Sequence, residues 1–526
     1  MTEELLAGAG VGAEFVPVES GGRLHDLEGL ARVLRPVFRR DLALGYGFGM
    51  TSLFAASAVW TAGDEAQRRE LAGVVLAGGR VSIVHREVAH ANALLRREVS
   101  AAAVPGGGFL VNGRKDVVIN AGRADAFVMY ARTGGGGGPG SHSVLLLGPG
   151  GPVSGRVRAG QRVRMPGMRG AHFAPLELTD VHLPAGALVG GLGEGVSLAL
   201  RSFQISHCLI PGTVLAGVDS VLRQAVRAAT EDGPGVGEPR RGRRVLAGVF
   251  ADLLACDAMA VTGLRALSLL PEDAYLLAAA VKYVMPDLLR EDLEELATVL
   301  GARGFARGPV SGGFEKLVRD LPVAGLGHAG TAVCQAVLVP QLPMLAAGTW
   351  FKSAEPPRAL FTPGAPLPPF DHRRLAHHGQ DDLLSATLIH ATGRLSARPD
   401  KDEPTAALAE LARMFVTELK TLRERCSALP AAGTMAFDPQ ACALADRYAL
   451  VLAAAACLGV WEAHAGRDTF LADPAWAVMA LSRIGRRLGA PVPPIPPDVA
   501  HTVLQEVLDR CRHHRSLDLY ATPLAG

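Results

Sequence analysis

At 526 residues with 49% hydrophobic side chains, the chain is long enough for two or three well-buried domains. Its 53 basic and 51 acidic residues leave a net charge of +2, which gives no electrostatic case for nucleic acid. Seven cysteines without any Cys-x-x-Cys spacing point to reduced, unpaired thiols. With neither a basic-then-apolar leader nor an uninterrupted apolar run of bilayer length, a cytoplasmic protein without a transmembrane segment is expected.

In chain order, residues 1–80 read as an N-terminal helical domain. Helical spacing of apolar residues runs from Asp41 to Gly79, and Asp64 followed by acidic Glu65 suits a helix start. Residues 81–190 change texture. Short β-branched or alternating runs (Phe109–Val111, Val117–Ile119, Phe127–Tyr130, Val144–Leu147) are separated by Gly, Pro and Asn-Gly turns, which predicts an antiparallel β domain. The glycine tract from Gly134 to Gly140 has no Gly-Lys-Ser/Thr ending, so it reads as a hairpin loop and not as a phosphate loop.

Helical periodicity returns over 191–350, predicting a bundle-like domain interrupted between Glu231 and Pro239, where Gly and Pro forbid a continuous helix. A Pro-rich stretch over 354–369 opens a further helical block, 351–526. Within it, the basic amphipathic segment Trp476–Leu488 is expected to pack as a helix. The predicted class is α+β: helices, a β domain, a helical bundle and an additional helical block.

Four segments in this order make a resemblance. They are Thr61-Ala62-Gly63-Asp64-Glu65-Ala66-Gln67; Val111-Asn112-Gly113-Arg114-Lys115 with Ile119-Asn120-Ala121-Gly122 and Ala124-Asp125; Met165-Pro166-Gly167-Met168-Arg169-Gly170-Ala171 with Thr179-Asp180-Val181-His182-Leu183-Pro184; and Leu300-Gly301-Ala302-Arg303-Gly304-Phe305 with the stretch from Arg319 to Thr331. Together they resemble the acyl-CoA dehydrogenase superfamily over roughly residues 41–345. The resemblance implies helical domains flanking a β domain, an FAD between subunits and an acyl thioester on CoA or a carrier protein. It also implies an oligomer, either of this chain (dimer or tetramer) or with a related subunit. Carried over residue by residue, it places Val117, Ile119, Met168, Arg169, Gly301, Gly304 and Thr331 at cofactor-contacting positions.

The chemistry departs from that pattern. Where the family carries the glutamate that removes the substrate α-proton, this chain has Ala329, and the adjacent titratable residue is His328. A histidine titrates near neutrality, but one residue along a helix points about 100° away. The family's Thr-Glu-Pro-Gly flavin loop becomes Val84-His85-Arg86-Glu87-Val88-Ala89-His90, and its Trp-x-Thr strand becomes Val117-Val118-Ile119, which offers no side-chain donor. The Arg-x-x-Phe-Gly segment gives way to the break at 231–239, with Arg240, Arg241, Arg243 and Arg244 following it.

His85 with Glu87 is read as a candidate acid–base pair, and with His90 it falls short of any zinc motif, so no metal is expected. His207-Cys208 suggests nucleophilic chemistry, but helix neighbours do not face each other and a buried structural cysteine is the simpler reading. Three functional readings remain open. They are flavin-dependent α,β-oxidation with a relocated base, with His328, His85 and Glu87 as candidates; a flavin-free member that serves as a partner subunit or does flavin-independent thioester chemistry; and flavin monooxygenation on the same fold.

Overall fold

The computed structural model describes residues 2–85, 98–136, 138–231, 239–306, 312–326, 330–378, 381–399, 402–430 and 438–525. They fall into two compact units, Met1–Ser206 with Pro368–His377, and His207–Leu367 with His378–Gly526.

In the first unit, helices α1 (Glu3–Gly8), α2 (Leu27–Arg40), α3 (Leu42–Gly45), α4 (Thr51–Ala62) and α5 (Glu65–Leu76) precede the sheet. The start of α5 follows from its sequence. Asp64 accepts from the Gln67 backbone N–H, and the Gln67 side chain accepts from the Asp64 N–H, a reciprocal cap that satisfies two otherwise orphaned donors. The same Gln67 amide donates to the Gly186 and Leu188 carbonyls, so the cap also fastens α5 to the end of the β domain.

The sheet contains β1 (Val81–Val84), β2 (Ser100–Ala103), β3 (Phe109–Ile119), β4 (Ala126–Arg132), β5 (His142–Leu147), β6 (Ser154–Ala159), β7 (Phe173–Leu183) and β8 (Leu188–Val189). Its order is β6-β7-β3-β2-β4-β5-β8, with β1 also on β4. The expected antiparallel domain is therefore corrected to a mixed sheet. β1 runs parallel to β4 (Val81 opposite Ala126), and β2 meets β4 in parallel at Ser100–Arg132. The remaining pairs are antiparallel, and the glycine tract joins β4 and β5 as the expected hairpin connection.

Val111, Val118, Leu176, Leu178 and Val181 face the core, and register shifts between Val111 and Gly113 and between Lys115 and Val118 break the strict alternation of the pleat. Two of the resembling segments meet here. The Asn112 side chain bonds Asp180 in both directions, at 2.8 and 3.2 Å. Gly113, at φ 142°, passes so close to the backbone at Glu98 and Val99 that a Cβ would lie 2.7 Å from it, which is why the Asn-Gly pair is needed.

Helix α6 (Gly195–Glu231) begins in this unit. Its Arg201 donates to the Leu375 and Arg373 carbonyls and its Gln204 to the Ala376 carbonyl. These bonds, with Phe370 N–H to the His25 carbonyl at 2.7 Å, tie segment 368–377 into the first unit.

The second unit holds the rest of α6 with α7 (Pro239–Leu269), α8 (Ala274–Leu300), α9 (Gly312–Asp320), α10 (Val323–Leu326), α11 (Thr331–Leu338) and α12 (Leu342–Gly348). It also holds α13 (Ser385–Ala397), α14 (Glu403–Ser427), α15 (Pro439–His464), α16 (Pro474–Arg487) and α17 (Pro497–Arg512). Buried Arg265 of α7 donates to the Ala359 and Ala365 carbonyls and pins the Pro-rich stretch. Helices α15, α16 and α17 pack directly on α7. The basic face of α16, as expected, is turned inward: Arg483 and Arg487 both bond buried Asp252, and reach Glu295 and Glu291 respectively.

The sequence reading of no bilayer-length apolar run needs amendment at the level of helices. Leu42–Ala62, Gly195–Thr230, Gly242–Leu269 and Pro439–His464 are each long and apolar enough to cross a membrane. A helical window tolerates a charge or two that breaks an uninterrupted run. Between 72% and 94% of each of the four apolar windows is buried inside the protein, which accounts for their composition.

Candidate functional site

At the ends of β1 and β3, Ser82 is buried and its hydroxyl donates to the Ile119 carbonyl. Strand alternation turns Val118 into the core and leaves Val117 and Ile119 half-buried on the other face. His85, just past β1, is buried against two aromatic rings, Phe203 at 5.5 Å and Tyr130 at 6.2 Å, both edge-on. Phe203 and Tyr130 are themselves 5.8 Å apart. Its surroundings are those of an aromatic core histidine. Its proposed partner Glu87 lies outside the described residues, as does His90.

Met168 sits at φ 55° and is buried, while Arg169 is exposed. Their turn is held by Arg162, which donates to the Arg169 and Ala171 carbonyls. Backbone acceptors that could face a ligand are thereby engaged within the protein.

In the second unit, α6, α8 and α11 bring together residues the sequence did not group. His207 Nε2 lies 3.8 Å from Cys334 Sγ, and both side chains are buried. Buried Lys282 of α8 donates to the Ala324 carbonyl of α10. Burial, reinforced by the Lys282 charge, pushes the His207 pKa down to about 3, so the imidazole is neutral. Burial raises the Cys208 thiol and the Tyr275 phenol, with Cys334 adding to both shifts.

Cys208 does not face His207. It packs where α6 meets Gly263 of α7, so closely that a Cβ at 263 would fall 2.8 Å from its sulfur. The partner of His207 is Cys334, across the bundle, and no spacing within α6 signals it. The available signal was that Cys334 follows Thr331 by three residues on a buried helical face.

Among the predicted positions in this unit, Gly301 ends α8 at φ 52° and is exposed; Gly304 is buried against Phe314; and Thr331 opens α11 behind Gly330, partly exposed. His328 and Ala329 lie outside the described residues. The structure thus divides the predicted residues. Val117, Ile119, Met168, Arg169 and His85 belong to the first unit, and Gly301, Gly304 and Thr331 to the second.

The FAD implied by the resemblance needs hydrogen-bond donors around its ring. The strand end offers two aliphatic side chains, and the Ile119 carbonyl already accepts from Ser82. The neighbouring buried polar atom without a partner, Asn120 Oδ1, is an acceptor and not a donor. The described residues therefore do not fit the ring contacts that the resemblance implies. A neutral histidine with a pKa near 3 is in turn a weak proton acceptor, because Brønsted behaviour favours a base near the working pH. Among the described residues, no group of three His, Cys, Asp or Glu side chains is placed to hold a metal ion.

No family model matches the chain. Over 255 residues it is 23% identical to the mitochondrial isovaleryl-CoA dehydrogenase of Bos taurus, covering 48% of this chain and 59% of that protein. It thus spans about six-tenths of the length of the curated relatives it matches first. Its fold matches an acyl-CoA dehydrogenase from Bacillus anthracis complexed with FAD at a TM-score of 0.67 and 14% identity, covering 99% of this chain and 86% of that one. A prolyl acyl carrier protein oxidase matches at a TM-score of 0.56 and 19% identity, over 63% of this chain and 88% of that one. With a mixed sheet following its N-terminal helices and its C-terminal helices included in the 99% overlap, the chain has the fold of these acyl-CoA dehydrogenase structures.

Proposed function

We propose that this chain binds an acyl thioester, on CoA or a carrier protein, without carrying out the superfamily's flavin-dependent α,β-dehydrogenation. The thioester follows from the relatives: one is a CoA-ester dehydrogenase and another a carrier-protein oxidase. The observation that carries the negative half is the end of β3: Val117 and Ile119, at the positions where the resemblance implies ring contacts, are aliphatic, and the Ile119 carbonyl is bonded within the protein. A buried flavin atom left unpaired there would cost roughly 1–3 kcal/mol. With Ala329 where the resemblance implies the base, the His207 imidazole, pushed down to about 3, is a poorly matched replacement.

In this reading the chain is a flavin-free member, acting as a thioester-binding subunit in an oligomer of its own or with a related chain, in the cytoplasm. Its residues bind and shield; they do not oxidise.

The test uses the full-length protein. Its visible absorption spectrum, before and after added FAD, is expected to show no stoichiometric flavin. Isovaleryl-CoA and butyryl-CoA are expected to bind saturably in calorimetry yet to leave a redox dye unreduced. Stoichiometric flavin with thioester-dependent dye reduction would establish oxidation with a relocated base and overturn the proposal. Stoichiometric flavin that consumes oxygen without dye reduction would overturn it in favour of monooxygenation.

A further inference from the structure

A cavity of about 580 Å³ opens in the first unit between α4, α5, the turn at 17–20 and the turn at 371–374. That volume is in the range of small-molecule sites. Trp60, Ala72 and Leu76 give it an apolar wall, while three cations (Arg68, Arg69 and Arg373) and two carboxylates (Glu19 and Glu65) line the rest. Two of these cations are engaged. Arg69 pairs with Glu65, and Arg373 holds Asp371 through two bonds at 2.8 and 3.0 Å, with Glu19 adding to its field. Arg68 is half-buried and, among the described residues, has no side-chain hydrogen bond or ion pair. The indole N–H of Trp60 is buried in the same wall without an acceptor.

Part of the rim comes from the segment at 371–374, far along the chain from α4 and α5. Arg373 belongs to the segment beyond the resembling region, and Arg201, Gln204 and the His25 carbonyl hold that segment in place. A fixed rim limits the ordering a ligand must impose.

We propose that this cavity binds a small amphipathic anion, a carboxylate or phosphate ester on an apolar body, with Arg68 meeting the anionic oxygens and the Trp60–Leu76 wall covering the body. A guanidinium suits either group, since its fork matches planar carboxylate and phosphate oxygens alike.

The site is independent of the thioester reading and is tested without flavin or CoA. Benzoate, phenyl phosphate and neutral benzyl alcohol are titrated into the full-length protein while the Trp60 indole N–H resonance is followed, assigned by its loss in Trp60→Phe. At least one anion is expected to shift it saturably, and the tighter of the two names the headgroup. Arg68→Gln should weaken that anion about ten-fold, the scale of one charge-assisted hydrogen bond, with Arg68→Lys recovering part of the loss. Unchanged melting of the variants would show that the fold is retained. The proposal is overturned if neither anion saturates, if Arg68→Gln binds as tightly as the unaltered protein, or if benzyl alcohol binds as tightly as the anions.

Discussion

His207 shows how far a residue's identity falls short of its role. The sequence placed it beside Cys208 on a helix; the bundle gave it Cys334 as neighbour and Lys282 as a nearby charge. His372, in the turn next to Arg373, is likewise buried and pushed down to about 3. The consequence for stability has a definite sign. In the unfolded chain each imidazole takes a proton near pH 6.5, whereas in the folded chain it does so only near 3. Between those values the unfolded state binds more protons, so stability falls as the pH drops through that window. At pH 5 each histidine should cost about 2 kcal/mol relative to pH 7. Urea midpoints at the two pH values measure the sum, and His372→Phe should remove its share of the difference. An identical pH dependence in the variant would contradict the assigned burial.

At the scale of elements, local chemistry was legible where it acts locally. Asp64 was readable as a helix start because its partner is three residues away, and the reciprocal bond with Gln67 is present. Asp64→Ala should cost about 1 kcal/mol, seen as a lower denaturation midpoint. Gln67→Ala should cost more, since it also leaves the Gly186 and Leu188 carbonyls without their donor.

The strands of the β domain were legible from alternation and turns, but their directions were not. Parallel pairing of β1 with β4 joins strands separated by two others in sequence, and no side-chain pattern along either one encodes its partner's direction. The Asn112–Asp180 pair lies between these cases: both residues stood out in their segments, yet only the β3–β7 register shows that they answer each other.

For the molecule as a whole, the extra C-terminal helices are structural to the second unit. Asp252 is buried and faces Arg483 and Arg487, Asp219 accepts from the Leu517 N–H, and Asp257 accepts from the Leu519 N–H. Asp252→Ala would leave two largely buried guanidiniums short of a carboxylate and should destabilise by about 3–5 kcal/mol, measurable by denaturant unfolding. A chain ended at residue 350 would deprive Asp219, Asp252 and Asp257 of these partners together and expose the faces of α7 that α15, α16 and α17 cover. It should fail to give a protease-resistant bundle, whereas a resistant, cooperatively melting fragment would show that the block is dispensable.

By itself, the sequence determined the class of fold, and its resemblance implies a departure from the superfamily's chemistry. Spaced motifs name a scaffold through local needs such as a cap, a tight turn or a strand edge. A substitution such as Ala329 or Ile119 removes a functional group wherever the residue lies in space. The tertiary structure decided which groups meet: the His207–Cys334 contact, the Ser82 bond to Ile119, the inward-facing arginines of α16 and the Arg68–Trp60 cavity bordered by the turn at 371–374. These depend on contacts between residues far apart in the chain, and burial sets their charge states and hydrogen-bonding needs only once those contacts form.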